Sequence, residues 1–213
     1  LFQGAVDIGQ GSNTVISQIC ADAVGLSVDC FDLIYGDTDL TADAGKTSAS
    51  RQTFISGKAA FLAGTSLRKK LLKICDAPSS AKLQLDGNML LISAENNTHK
   101  LQLNKLPTDQ EGFIALAEKT YDPPTQPLDN DGQGEPYASF GYGAQMVELS
   151  VDTKLGTTQL IKVTAAHDVG RVINPVLAEG QVHGGVAQGI GMALMEKFIP
   201  GKFKRRYPAN IIV

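Results

Sequence analysis

Apolar positions recur at helical spacing in three stretches of the chain and alternate in several shorter ones. Val15, Ile16, Ile19, Ala23 and Val24 follow Ser12, a good N-cap residue, and Gly25 supplies a stop, which predicts a first helix over residues 12–24. A second, longer helix is expected from Gln52 to Cys75, with Phe54, Ile55, Ala59, Leu62, Leu67, Leu71 and Leu72 as its apolar stripe and Pro78 beyond its end. A third, rich in glycine, runs from about Val176 to Lys197 after an Asn174-Pro175 turn. Leu1–Ile8 and Phe31–Tyr35 read as strands, and residues 81–106 as short strands that turn at Asp86-Gly87-Asn88. Thr108 with Glu111 has capping-box spacing and predicts a short helix over Gln110–Lys119. A loop punctuated by Pro and Gly then spans 122–136. Tyr137–Val151 and Gln159–Ala166 form a hairpin about residues 152–156. The order of strand, helix, strand, helix, small strands, hairpin and helix is that of an α+β protein, with a first lobe at 1–106 and a second at 107–213.

Composition narrows the class. With 213 residues and 43% apolar content the chain can bury a real core. Cys20, Cys30 and Cys75 form no C-x-x-C pair and nothing at the start reads as a signal, so a reduced, cytoplasmic protein is expected. No apolar run reaches the roughly 18 residues that a spanning helix needs, so no membrane role is expected. Lys and Arg total 19 against 22 Asp and Glu. The basic cluster Lys202, Lys204, Arg205 and Arg206 reads as a solvated tail, so no nucleic acid is expected as a partner. Leu1–Gly4 (LFQG) reads either as the remnant of a cleavable tag or as the start of the first strand.

The 22 glycines change the picture, because they gather in short clusters beside Gln, Ser and Thr. Glycine placed so lets a backbone approach something closely. The first cluster, Gly9-Gln10-Gly11-Ser12, stands at a strand-to-helix junction. It reads either as a tight turn or as a helix N-terminus offering N–H groups to an oxo or phosphate ligand. The second, Gly45 to Gln52, offers hydroxyls and one guanidinium where a polar loop enters a helix, and ordinary capping is the competing reading. Its Lys46-Thr47 pair lacks the upstream Gly of a phosphate-binding P-loop. The third, Glu179 to Gly191, puts five Gly into a helical stretch, a departure of about 1 kcal/mol each relative to Ala. Gln181 and Gln188 lie seven residues apart on one face of it. Their amides both donate and accept, which suits a pterin edge or a metal-bound oxygen. His183 has no ligand-type neighbour at metal spacing and reads as a packing residue. Asp37, Asp39 and Asp43 read as solvated or turn-stabilising.

Taken together, Val6–Gly11 (VDIGQG), Gly36–Gln52, Tyr121–Gln145 and Ala165–Lys197 resemble the second molybdopterin-binding domain of the xanthine dehydrogenase and aldehyde oxidase family, the molybdenum hydroxylases. The Tyr121-Asp122-Pro123-Pro124-Thr125 stretch and the Gly132-Gln133-Gly134 loop are most similar to the bacterial branch acting on nitrogen heterocycles, such as nicotinate dehydrogenase or purine hydroxylase.

The resemblance implies two α/β lobes around a molybdopterin with molybdenum, in its dinucleotide form. Cofactor-binding residues implied by it are Gly9, Gln10 and Gly11, with Gln10 near the oxo ligand of the metal. Thr47, Ser48, Ala49, Ser50, Arg51 and Gln52 are implied around the pterin and its phosphates, and Gln188 as an amide holding the pterin. No direct metal ligand is expected from this chain. The implied activity is insertion of a water-derived hydroxyl into a C–H bond of a small-molecule substrate, a nitrogen heterocycle or an aldehyde. Electrons would leave through iron–sulfur clusters and FAD on partner subunits. A larger molybdopterin subunit, an iron–sulfur subunit and an FAD subunit are the expected partners. The family's general base is a Glu in a Gly-x-Gly-Glu segment well downstream of the third cluster, and no such segment follows that cluster in this sequence, so no catalytic residue is expected in the chain. A non-catalytic remnant of the same fold, binding no metal, is the competing function.

Overall fold

The computed structural model describes residues 1–95 and 97–197. The chain divides after Ala138 into two compact units. The expected lobe boundary at 106/107 thus falls inside the first unit.

In the first unit, strand β1 (Phe2–Gln3) pairs in parallel with β2 (Ile34–Tyr35), and helices α1 (Ser12–Val24) and α2 (Gln52–Ile74) follow them in the chain. The strands are shorter than their apolar runs suggest because local groups take the backbone. The Gln3 side chain accepts the Ala5 N–H, and the Phe31 N–H is spent on Val28 O in a 3-10 turn over Val28–Cys30. Helix α1 matches its predicted span and ends where expected, with Gly25 left-handed at φ 85 and its N–H on Ala21 O. Its start differs from expectation. Gly11, not Ser12, is the N-cap, and no side chain of the cap residue serves it.

Helices α1 and α2 pack tightly through small residues. Gly57, Ala60 and Gly64 are buried on α2, whereas Phe54, expected in the apolar stripe, is exposed and meets Tyr121 edge-on at 5.8 Å between ring centres. A Cβ on Gly64 would stand 2.8 Å from Cys20 O and 2.9 Å from Ala23 Cβ. Small residues at this crossing let the backbones approach each other.

Beyond α2, β3 (Lys82–Asp86), β4 (Met89–Ala94) and β5 (Asn97–Gln102) form an antiparallel sheet in chain order. Their alternation turns Leu83, Leu90 and Ile92 inward, with Lys82, Gln84 and Lys100 on or near the water side. The core joins these to Ala5, Ile16, Cys20, Val24, Ala60, Leu71, Leu72 and Ala81. Arg68 fastens the elements together by donating to the carbonyls of Val24, Ser79 and Ala81. The helix predicted over Gln110–Lys119 is absent. Asp109 Oδ1 takes the N–H groups of Glu111 and Phe113, and Gly112 turns left-handed at φ 89, so a side-chain turn replaces the capping box.

The second unit holds a long antiparallel hairpin, β6 (Tyr142–Asp152) and β7 (Thr157–Asp168), and helix α3 (Pro175–Leu194). Asp152 closes the hairpin turn by accepting the N–H groups of Lys154 and Leu155. These bonds hold its carboxyl below the usual carboxylate range. A bulge falls between Glu148 and Leu149. Asn174 caps α3 by accepting the Leu177 N–H, and Pro175 stands at its first turn. The helix stops at Leu194, short of the expected Lys197. The half-buried residues of α3 are Leu177, Ala178, Val182, Val186, Ile190 and Gly191; none is fully buried. Met146, Ile161, Val176 and Met192 are all exposed. Among the described residues, no helix is long and apolar enough to cross a membrane.

Candidate functional site

The loop before α1 is organised by a residue that the motif reading passed over. Asp7 Oδ1 accepts the N–H of Gly9 at 2.8 Å and of Gly11 at 3.3 Å, and its Oδ2 accepts that of Asn13 at 3.2 Å. Asp7 thus does the capping expected of Ser12. The expectation that this helix start offers free N–H groups to an anion is weakened at these three donors. Gly9 and Gly11 adopt φ 109 and 80, which L side chains rarely reach. Burial pushes the Asp7 carboxyl up, but the hydrogen bonds it accepts from the backbone, those of Gly9, Asn13 and Gly11 foremost, outweigh it, and the group titrates below its ordinary value. The legible signal was an Asp two residues before the first Gly, the spacing of an Asx turn.

Gln10 is held in one orientation. Its Oε1 accepts the Ile8 N–H at 2.8 Å. Its Nε2 is hidden from solvent with no partner among the described residues, and so is Ser12 Oγ. A hidden unpaired donor costs roughly 1–3 kcal/mol, so the Gln10 amide is an acceptor already used joined to a donor still available. Ser12 shares the inward face of α1 with Ile16 and Cys20, at i, i+4 and i+8, and belongs to the packing side of the helix.

The second cluster lies against the first. Thr47 Oγ1 donates to Val6 O at 2.9 Å, and the backbone at Gly4 sits so close to Ala42 that a Cβ would meet its carbonyl oxygen at 1.8 Å. Arg51 Nη1 donates to Ala44 O and Lys46 O, and Gln52 Nε2 to Lys46 O and Thr47 Oγ1. Both side chains brace the loop from within, and Gln52 is buried. Between these anchors Ser48, Ala49 and Ser50 are exposed, with Ala49 and Ser50 both left-handed at φ 54 and 51. No side chain of its N-cap residue caps the start of α2. The outcome is a braced loop that presents two hydroxyls and a helix N-terminus, a combination suited to phosphate oxygens.

The third cluster belongs to the second unit. Gln181, His183 and Gln188 are exposed on α3. Gly180, Gly184, Gly185 and Gly189 have open space where a Cβ would stand, so no packing within this unit requires them to be glycine. Asp37 and Asp43 stabilise turns as expected, accepting the N–H groups of Asp39, Leu40 and Gly45. Among the described residues, no three His, Cys, Asp or Glu gather as a metal site. The donors present are amides, hydroxyls and backbone N–H groups, which fit an oxygen-rich organic cofactor that brings its own metal ligands.

The whole arrangement has relatives. The model of the molybdopterin cofactor-binding domain matches residues 1–210. The chain is 32% identical over 205 residues to the xanthine dehydrogenase molybdenum-binding subunit of Escherichia coli O157:H7, covering 92% of this chain and 26% of that one. It is 29% identical over 204 residues to the gamma subunit of the 6-hydroxypseudooxynicotine dehydrogenase complex of Paenarthrobacter nicotinovorans, covering 92% of this chain and 24% of that one. The fold is that of the aldehyde oxidoreductase from Desulfovibrio desulfuricans, with TM-score 0.71 at 23% identity over 90% of this chain and 19% of that one. The chain belongs to the molybdopterin cofactor-binding domain family of the xanthine dehydrogenase and aldehyde oxidoreductase type. It spans about a quarter of the length of those two curated relatives.

Proposed function

We propose that the chain is the cofactor cradle of a molybdenum hydroxylase that oxidises a C–H bond of a nitrogen heterocycle or an aldehyde, with water as the oxygen source. The observation that carries this reading is the Gln10 amide. Its oxygen is spent on the chain itself and its nitrogen is hidden and unpaired, in a loop joined to a second loop rich in hydroxyls. When bound, the molybdenum–pterin group supplies two-electron redox chemistry, and this chain holds and orients it. Gly9 and Gly11 keep the first loop close, and Gln10 donates to an oxygen of the group. Thr47, Arg51 and Gln52 brace the second loop, while Ser48, Ala49, Ser50 and the α2 start receive the phosphates of a dinucleotide form. Gln188 offers an amide from the open face of α3.

The names of relatives built around xanthine and 6-hydroxypseudooxynicotine favour a nitrogen-ring substrate. In this reading the chain works in a larger assembly, with a larger molybdopterin subunit and with iron–sulfur and FAD subunits. The apolar side chains left exposed on β6, β7 and α3 support such a covering partner, since a two-stranded hairpin is marginal alone. Glu148, Glu179 and Glu196 are exposed, and none is assigned the role of base. Metal analysis and extraction of a fluorescent pterin from the complex purified with this chain test the reading. Roughly stoichiometric molybdenum and pterin are expected. A fully assembled complex without either would make the chain a scaffold.

A further inference from the structure

We propose that Asp7 is the positioning residue for Gln10, winding residues 7–13 into a closed loop that presents the Gln10 amide nitrogen, a donor without a partner among the described residues, toward the cofactor. The inference rests on the cofactor-cradle reading. Its physical basis is the way the carboxylate brackets Gln10. One oxygen takes the N–H of the residue before it, Gly9, and of the residue after it, Gly11. The other reaches Asn13 in the first turn of α1 and ties the loop to the helix. Three bonds to an ionised acceptor are among the stronger hydrogen bonds a loop can have. The glycines they hold are both left-handed, a backbone with many alternatives once released. With the backbone fixed, Ile8 N–H can occupy Gln10 Oε1, which sets the carboxamide one way round and leaves Nε2 hidden and without a partner among the described residues. Asn13 is itself gripped by Gln3 Nε2 at 3.0 Å, so the frame extends to β1.

The test is a double-mutant cycle on the assembled, cofactor-loaded enzyme, read as the rate of pterin release after dilution, with thermal unfolding followed in parallel. Asp7→Ala and Gln10→Ala are each expected to speed release by about 10–100-fold, the range in which outer partners of a cofactor-holding group act. The double variant is expected to release no faster than Gln10→Ala alone, because Asp7 acts through Gln10. Multiplying effects in the double variant would make Asp7 merely structural and overturn the proposal. Should Asp7→Ala fail to assemble, Asp7→Asn takes its place in the cycle. It keeps one acceptor oxygen and turns an NH2 on one of the N–H donors, so a smaller acceleration, again absent in the Gln10→Ala background, is expected. Wild-type release from Asp7→Asn would overturn the proposal. Wild-type release from Gln10→Ala would also overturn it, by removing the amide from the cofactor. Failure of the underlying reading looks different, since the wild-type assembly would then hold no pterin at all.

Discussion

Adding a single methyl group at Gly64 should separate α1 from α2, while the same change at Gly57 should be nearly silent. Both glycines lie inside α2, where Ala is favoured over Gly by about 0.8–1.0 kcal/mol. At Gly64 the new Cβ would meet Cys20 O at 2.8 Å, Ala23 Cβ at 2.9 Å and Val24 Cγ2 at 3.4 Å. Two of these atoms are fixed to the backbone of α1, so the helices themselves must part. Overpacking of this kind costs about 1–3 kcal/mol, more than the propensity gain returns, and a net loss of roughly 1 kcal/mol follows. At Gly57 the close atom is Ile19 Cδ1 at 2.8 Å, the tip of a flexible side chain. A shifted rotamer costs about 0.5–1.5 kcal/mol, which the propensity gain largely offsets. Urea unfolding of both variants, followed by far-UV circular dichroism and by amide exchange in the peptide covering residues 15–24, measures the difference. Gly64→Ala equal to or more stable than Gly57→Ala would refute the close crossing.

Three further outcomes follow from the same geometry. The folded-state pKa of Asp7 is lowered, so its contribution to stability is fully present above the unfolded carboxylate value of about 3.9 and is lost as pH falls through the folded value. The stability gap between wild type and Asp7→Asn, from urea midpoints, should hold constant from about pH 5 to 7 and shrink below about pH 4. A gap that does not change with pH would show that the carboxylate is not ionised by its loop. Burial pushes the Cys20 thiol up, so Cys20 should resist alkylation in the native chain while the half-buried Cys30 and Cys75 react, as mass spectrometry of labelled peptides would report. Gln188→Ala, at an exposed position, should change stability by less than about 0.5 kcal/mol yet lower the pterin content of the assembled enzyme. Equal pterin content with a clear loss of stability would make Gln188 structural only.

Much of the fold is legible because it rests on local signals. Gly25 ends α1, Asp86-Gly87-Asn88 turns β3 into β4, and Asn174-Pro175 opens α3, each through chemistry confined to a few neighbouring residues. Where two local signals compete, the stronger acceptor within reach wins in the folded chain. Ser12 is a good cap in isolation, but Asp7, as an anion, takes the N–H groups of Gly11 and Asn13 at the helix start. Thr108 and Glu111 spell a capping box, but Asp109 and Gly112 close a turn first.

The sequence alone determined the class of fold, helices α1, α2 and α3 to within a few residues at their ends, and the three clusters where Gly meets amides and hydroxyls, since spacing and residue type suffice for these. Tertiary structure decided what each cluster does with its polar groups. Arg51 and Gln52 are chemically able to grip a ligand, yet Arg51 Nη1 and Gln52 Nε2 are turned onto the carbonyls of Ala44 and Lys46. Gln10, with a similar amide, keeps its nitrogen free because the Ile8 N–H satisfies only its oxygen. Gly57 and Gly64 of α2 carry no helical signal of their own, and their role exists only where α1 crosses them. A hydrogen bond is a choice among partners, and the set of partners within reach is a property of the folded chain rather than of the order of its residues.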